Sequence, residues 1–220
     1  MRSIMLRKIE WHIKAFYRIN VQKLKFYKRH MIIPPFPNNE DGKLLIHIGP
    51  GEIASPEFIN IDARPFPHIH YVTANIADLS IFSNNSIDLI YMSHVLEHIP
   101  INDVRSLLWE FKRVLKRAGI LRLSVPDFDQ IIRIYVDHGR DVKSMHLLLM
   151  GEQEYTQNFH CSIYNRDYLK EILFDAGFNE VRDWDPNNCS YHDFKDAANG
   201  VFLGKNGEKY LISLNLEAVS

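Results

Sequence analysis

The feature that most constrains this chain is a train of short apolar runs, each closed by a turn signal or an acid. Leu44-Leu45-Ile46-His47-Ile48 stops at Gly49-Pro50-Gly51, and Phe58-Ile59-Asn60-Ile61-Asp62 ends on a carboxylate. Ile69-His70-Tyr71-Val72 is a shorter third run, Ile87 to Met92 a fourth and Ile120 to Val125 a fifth. Runs of this length, rich in β-branched residues, read as buried strands. Between the fourth and fifth, Val104, Leu107, Leu108, Phe111, Val114 and Leu115 recur at helical spacing. That spacing predicts an amphipathic helix capped by Asn102 or Asp103 and ended by Gly119, after Lys116 and Arg117. Tyr168 to Ala176 reads as a further helix stopped by Gly177, Glu180 to Trp184 as a strand, and Tyr210 to Leu216 as a last strand. Such alternation predicts an α/β architecture, a mostly parallel sheet with helices on both faces.

The charge is unevenly spread. Residues 1–30 hold nine Lys/Arg against the single acid Glu10, a local charge of +8; with a net charge of −1, the remainder carries −9. Ile9, Ile13, Phe16, Tyr17 and Leu24 recur among these bases at helical spacing, so residues 1–33 read as a basic amphipathic helical segment. It suits packing on the domain or on a second copy, a membrane surface through its Lys/Arg, or nucleic-acid phosphates. The −9 body is a poor surface for phosphates and makes nucleic acid the least favoured partner. A Pro-rich linker spans residues 34–42, and a domain follows over residues 43–220. Two cysteines, Cys161 and Cys189, are too few for a disulfide framework and set a cytoplasmic expectation. No run of 18 apolar residues exists, so any membrane contact is expected to be peripheral, at the inner face.

Ligands of open α/β sheets sit at the carboxyl ends of the strands. Here those ends are Gly49-Pro50-Gly51-Glu52, Asp62, Asn75, Met92-Ser93-His94 and Pro126-Asp127. Glycines after the first strand let a ligand approach the backbone, and two carboxylate oxygens on Asp62 suit two ribose hydroxyls. Asp127 could orient a substrate, although an Asp there more often begins a helix.

Gly49-x-Gly51, Asp62, Asn84 to Ile90, Ser93-His94-Val95-Leu96-Glu97-His98 and Val114 to Gly119 occur in order. Together they resemble class I S-adenosylmethionine-dependent methyltransferases of Rossmann-like fold, with the closest look to a small bacterial group associated with cell-surface polysaccharide synthesis. The resemblance covers roughly residues 43–185, and Asn158-Phe159-His160 with the following helix is similar to that group's C-terminal segment. It implies that Gly49 and Gly51 border the methionine moiety, that Asp62 binds the ribose, that Asn75 sits near the adenine, and that Glu52 and Ser93 also belong to the cofactor site. The implied acceptor is a sugar hydroxyl on a surface glycan or its lipid-linked precursor. Two departures stand out. Ile53 occupies the place where a third glycine is common, and Asn75 stands where an Asp is usual. Only 13 positions separate Gly49 from Asp62, too few for a full crossover helix. These departures keep open a non-catalytic binding module, and the basic terminus keeps open an RNA methyltransferase.

His94, Glu97 and His98 lie at i, i+3 and i+4, so a helical turn there would put all three on one face. The zincin H-E-x-x-H is absent. His94-x-x-Glu97-His98, with His160 sixty-two residues later, is similar to the E-x-x-E-H of methyltransferases of small-RNA ends and of ubiquinone precursors. That likeness implies a divalent metal on His94, Glu97, His98 and His160; with His for the first Glu, zinc, manganese or iron is favoured over magnesium. The plainer alternative keeps His94, His98 or His160 as a metal-free general base, with Glu97 holding the loop.

Overall fold

The computed structural model describes residues 35–37, 39, 41–155, 157–204 and 207–220. The basic segment 1–33 lies outside the described residues, as does part of the linker. Seven strands form one sheet in the order β3-β2-β1-β4-β5-β9-β6. They are β1 (Leu45–Ile48), β2 (Ile59–Asp62), β3 (Tyr71–Val72), β4 (Ile87–Ser93), β5 (Leu115–Pro126), β6 (Glu180–Asp183) and β9 (Ser213–Val219). β1 to β5 run parallel, while β9 is antiparallel to both of its neighbours. A separate hairpin pairs β7 (Val201–Leu203) with β8 (Lys209–Leu211). The helices are α1 (Ile101–Val114), α2 (Phe128–Asp137), α3 (Val142–Met150) and α4 (Arg166–Asp175). No described helix is long and apolar enough to cross a membrane.

From β1 the chain moves outward through β2 and β3, then returns to β4 on the other side of β1. The switch point of the sheet therefore lies between the carboxyl ends of β1 and β4, where open α/β sheets take their ligands. Pleating sends alternate residues to opposite faces. One face carries Ile46, Ile48, Ile90, Met92, Leu121 and Leu123 and is covered by Val104, Leu107, Leu108 and Phe111 of α1 and Leu169 and Leu173 of α4, all buried. The other face carries Leu45, Leu89 and Tyr91, packed with Phe58, Trp184 and Ala198, and on it Arg122 of β5 and Glu217 of β9 form a buried ion pair of 2.7 Å. Between β1 and β2 the chain has no helix, as the 13-position spacing requires. The segment after β6 fills that space with Cys189, Tyr191 and Phe194.

Several boundaries differ from the sequence reading. α1 begins one residue after Pro100, which is its N-cap and offers no side-chain cap bond; neither Asn102 nor Asp103 caps it. Its end is set not by Gly119 but at Val114, because Leu115 already pairs with Ile87 as the first residue of β5. The expected strand over Tyr210–Leu216 is two strands. Ile212 donates its N–H to the Gly200 carbonyl and accepts from the N–H of Asp127, which takes it out of either ladder. α2 and α3 lie where the apolar pattern yields no element, and Asp127 is the N-cap of α2, accepting from the N–H of Asp129.

Candidate active site

Gly49 directly follows β1 with φ 68°, and Gly51 comes two residues later with φ 60°. A Cβ on Gly49 would lie 2.4 Å from Cγ2 of Val95, so the loop after β4 packs directly on the glycine turn. Asp62, at the end of β2, is buried and ties the turn down: Oδ2 accepts from the N–H of Gly51 at 3.0 Å and Oδ1 from that of Arg64 at 2.7 Å. The Arg64 guanidinium lies 3.6 Å from the same carboxylate and over the rings of Phe66 and Tyr155. His68 Nε2 contacts the Gly51 carbonyl at 3.0 Å and so belongs to the turn. Asn75 and Glu52 are exposed, and Asn75 Oδ1 accepts from the N–H of Ala77. Ser93 stands opposite Ser124 at the carboxyl ends of β4 and β5.

These residues fit an adenosyl cofactor. A side chain on Gly49 would fill the turn, and each Asp62 oxygen has a second lone-pair direction beyond its one backbone bond. Asp62 would take the ribose hydroxyls, and Gly49 and Gly51 would border the methionine end.

Immediately after β4 the backbone turns sharply. His94 adopts φ 49°, a left-handed conformation unusual for a residue with a side chain, and its N–H bonds the Ser124 carbonyl. Leu96–His98 then forms one 3-10 turn. The expectation that His94, Glu97 and His98 share a helical face is therefore corrected, because His94 lies outside the turn. Its Nε2 reaches Ser213 Oγ on β9 at 2.8 Å. Its Nδ1 stays 3.4 Å from Glu97 Oε1, without the geometry of a hydrogen bond.

Glu97 is 1% exposed, and neither carboxylate oxygen has a hydrogen-bond partner among the described residues. Burial pushes its carboxyl up to about 8. Its backbone carbonyl accepts from the N–H groups of Cys161 and Ser162 at 2.7 and 3.0 Å. Ser162 Oγ also donates to the Ile99 carbonyl. These bonds bring His160, sixty-two positions beyond His98, against the turn, and the two imidazole rings meet at 4.9 Å. Burial lowers His98, and lowers His160 to about 4 and His94 to about 4, so all three are neutral near pH 7. Glu97, His98 and His160 each offer a ligand atom within 4.8 Å of the others; His94 is not in the group.

Sequence reasoning missed Gly151, the C-cap of α3, whose Cβ position lies 2.5 Å from the Asn158 carbonyl oxygen and 3.0 Å from the His160 ring. An isolated glycine seven residues before Asn158-Phe159-His160 is the signal that could have found it. It also missed the polar knot on the opposite face. There Tyr91 donates to Asp196 and lies 3.2 Å from His192, while His47 stacks on Phe194. Burial alone would raise Asp196, but bonds from His192 and Tyr91 outweigh it and hold the carboxyl below its usual range.

The parallel sheet, the glycine turn beside the switch point and the acid closing β2 define a Rossmann-like methyltransferase fold. Residues 54–123 match the family model described as a methyltransferase domain. Over this part the chain is similar to class I, S-adenosylmethionine-dependent methyltransferases. Among curated relatives it is 30% identical over 116 residues to probable S-adenosylmethionine-dependent methyltransferases of two Mycobacterium tuberculosis strains, an overlap of 53% of this chain and 35% of each relative. The chain thus matches about a third of the length of those relatives. Among solved structures, a SAM-dependent methyltransferase from Archaeoglobus fulgidus superposes with TM-score 0.52 at 15% identity, covering 90% of this chain and 94% of that one, a likeness of fold.

Proposed function

We propose that this chain transfers a methyl group from S-adenosylmethionine to an oxygen of its acceptor, and that the acceptor is a sugar hydroxyl of a surface glycan or of its lipid-linked precursor. The observation that carries the reading is a pair of neutral imidazoles, His98 on the turn whose Val95 packs against Gly49 and His160 brought against it from the loop before α4. Bound S-adenosylmethionine supplies a sulfonium methyl whose S–C bond breaks as the acceptor O–C bond forms, the electron pair staying on sulfur. Methyl transfer to a hydroxyl needs a proton acceptor beside the oxygen, and a neutral imidazole is suited to that work. His98 holds its Nδ1 at 3.0 Å from the Phe159 carbonyl, which orients the ring and leaves the Nε2 lone pair to accept a proton. Gly49, Gly51 and Asp62 align the donor, so that approach and orientation supply much of the rate. The sugar acceptor rests on the motif resemblance alone. Calorimetry with S-adenosylmethionine, followed by methyl transfer onto glycan acceptors, tests the reading. Expected are cofactor binding by the native chain and loss of transfer in His98→Ala.

A second reading, a repurposed binding module, is favoured by the two Asp62 oxygens already bonded to the chain's own N–H groups. Absence of cofactor binding would select it. Peripheral membrane contact through residues 1–30 belongs to the same proposal, since a basic segment suits a membrane-borne acceptor.

A further inference from the structure

We propose that Glu97, His98 and His160 form a binding site for one borderline divalent cation of the zinc, cobalt or manganese kind. The first support is the carboxylate. Glu97 is 1% exposed and both of its oxygens lack a hydrogen-bond partner among the described residues. A buried unpaired carboxylate is costly unless it is protonated, paired or bound to a metal. Among the described residues no Lys or Arg pairs with it; His94 Nδ1 lies 3.4 Å from Oε1 without a hydrogen bond, and His98 and His160 each offer a ligand atom within 4.8 Å of it and of one another.

The second support is how those imidazoles are held. A carbonyl oxygen only accepts, so the 3.0 Å contact between His98 Nδ1 and the Phe159 carbonyl requires Nδ1–H and leaves the Nε2 lone pair available. Ligand histidines are commonly oriented by such a bond from the other ring nitrogen. His160 is set by main-chain bonds, its own N–H to the Met150 carbonyl and those of Cys161 and Ser162 to the Glu97 carbonyl. A cavity of about 10 Å³ bordered by Glu97, His160 and Ser162 leaves room for roughly one water as a further ligand.

The donor set chooses the metal. Two imidazoles and one carboxylate suit zinc, cobalt or manganese, whereas magnesium prefers an all-oxygen octahedron. Three protein ligands leave an open position, where a hydroxyl would be made more acidic; with the ion bound, His98 would serve as a ligand and not as the base. That role rests on the methyl-transfer reading; ion binding does not. The site also differs from the four-ligand set expected from sequence, because His94 is engaged with Ser213.

The test is a cobalt(II) titration of the chelator-stripped full chain, read by visible d–d absorption and by competition with zinc. One equivalent is expected to bind, with at least about tenfold weaker binding in Glu97→Gln and in His160→Ala, and unchanged binding in His94→Ala. Glu97→Gln keeps the size of the buried side chain; His160→Ala, nearer the surface, serves if that variant does not fold. Failure of the native chain to take up one equivalent, or uptake unchanged in both variants, would overturn the site. Loss in His94→Ala equal to that in Glu97→Gln would overturn the three-ligand assignment. Calorimetry with S-adenosylmethionine in excess chelator separates the readings. Cofactor binding without cobalt binding sinks only the metal, and cobalt binding without cofactor binding sinks only the methyl-transfer reading.

Discussion

Gly151→Ala isolates the joint that brings His160 to the site. Gly151 has φ 74° and ψ 177°, a region that residues with a Cβ essentially avoid. Holding alanine there costs about 1–3 kcal/mol. The new Cβ would also sit 2.5 Å from the Asn158 carbonyl oxygen, a main-chain atom, and 3.0 Å from His160 Cδ2. Relief requires residues 158–160 to move, which endangers the bonds from Gln153 N–H to the Asn158 carbonyl and from His160 N–H to the Met150 carbonyl. At about 1 kcal/mol each, these bring the loss to roughly 2–5 kcal/mol. Gly139→Ala is the control: its φ is 73°, but nothing lies within 4 Å of the added carbon. Strain alone predicts about 1–2 kcal/mol there. Urea unfolding of both variants supplies the comparison, and methyl transfer or cobalt affinity reports on His160. Gly151→Ala is expected to be the less stable by about 1–3 kcal/mol and to lose the site function that Gly139→Ala keeps. Equal stability of the two, with function intact in both, would refute the argument that Gly151 is there to admit His160.

Two further outcomes follow from the opposite face. Burial pushes His47 down to about 3, so between its ordinary pKa near 6.5 and that value the unfolded chain binds the extra proton. Its contribution to stability is therefore whole above about pH 6.5 and is lost towards pH 3 at about 1.4 kcal/mol per pH unit. In urea unfolding at several pH values His47→Phe should lose this part of the acid slope; parallel curves for variant and native chain would show that His47 does not titrate as described. Tyr91→Phe removes the hydroxyl that donates to Asp196, and a lost bond to a charged group costs about 1.5–3 kcal/mol. The melting temperature should fall by roughly 3–12 °C, with faster proteolysis between residues 185 and 199; an unchanged melt would mean that the knot does not pin this segment.

Local pattern determined a good deal of this protein by itself. The strands β1, β2 and β4 could be read because each is a short apolar run punctuated by Gly, Asp or a polar turn. α1 was legible from its 3.6-residue repeat, and the missing crossover helix from the 13-position spacing of Gly49 and Asp62. α2 and α3 were not legible, since their apolar residues meet Tyr210 of the β8 hairpin, which the chain reaches sixty residues later. For the same reason Tyr210–Leu216 could not be divided: the bonds that pull Ile212 aside come from Gly200 and Asp127.

In the site, sequence adjacency put Glu97 beside His98, and the motif resemblance raised His160 as a distant partner. What it could not decide was membership. Periodicity assumes a regular helix, but the left-handed His94 breaks the turn and sends that ring to Ser213, 119 positions away. His160 joins Glu97 and His98 through main-chain bonds to the Glu97 carbonyl and the bare α-carbon of Gly151, contacts that no one-dimensional pattern encodes. Residue types were thus settled by the sequence; which of them share one buried space was settled only when the sheet and the 151–162 loop closed around Glu97.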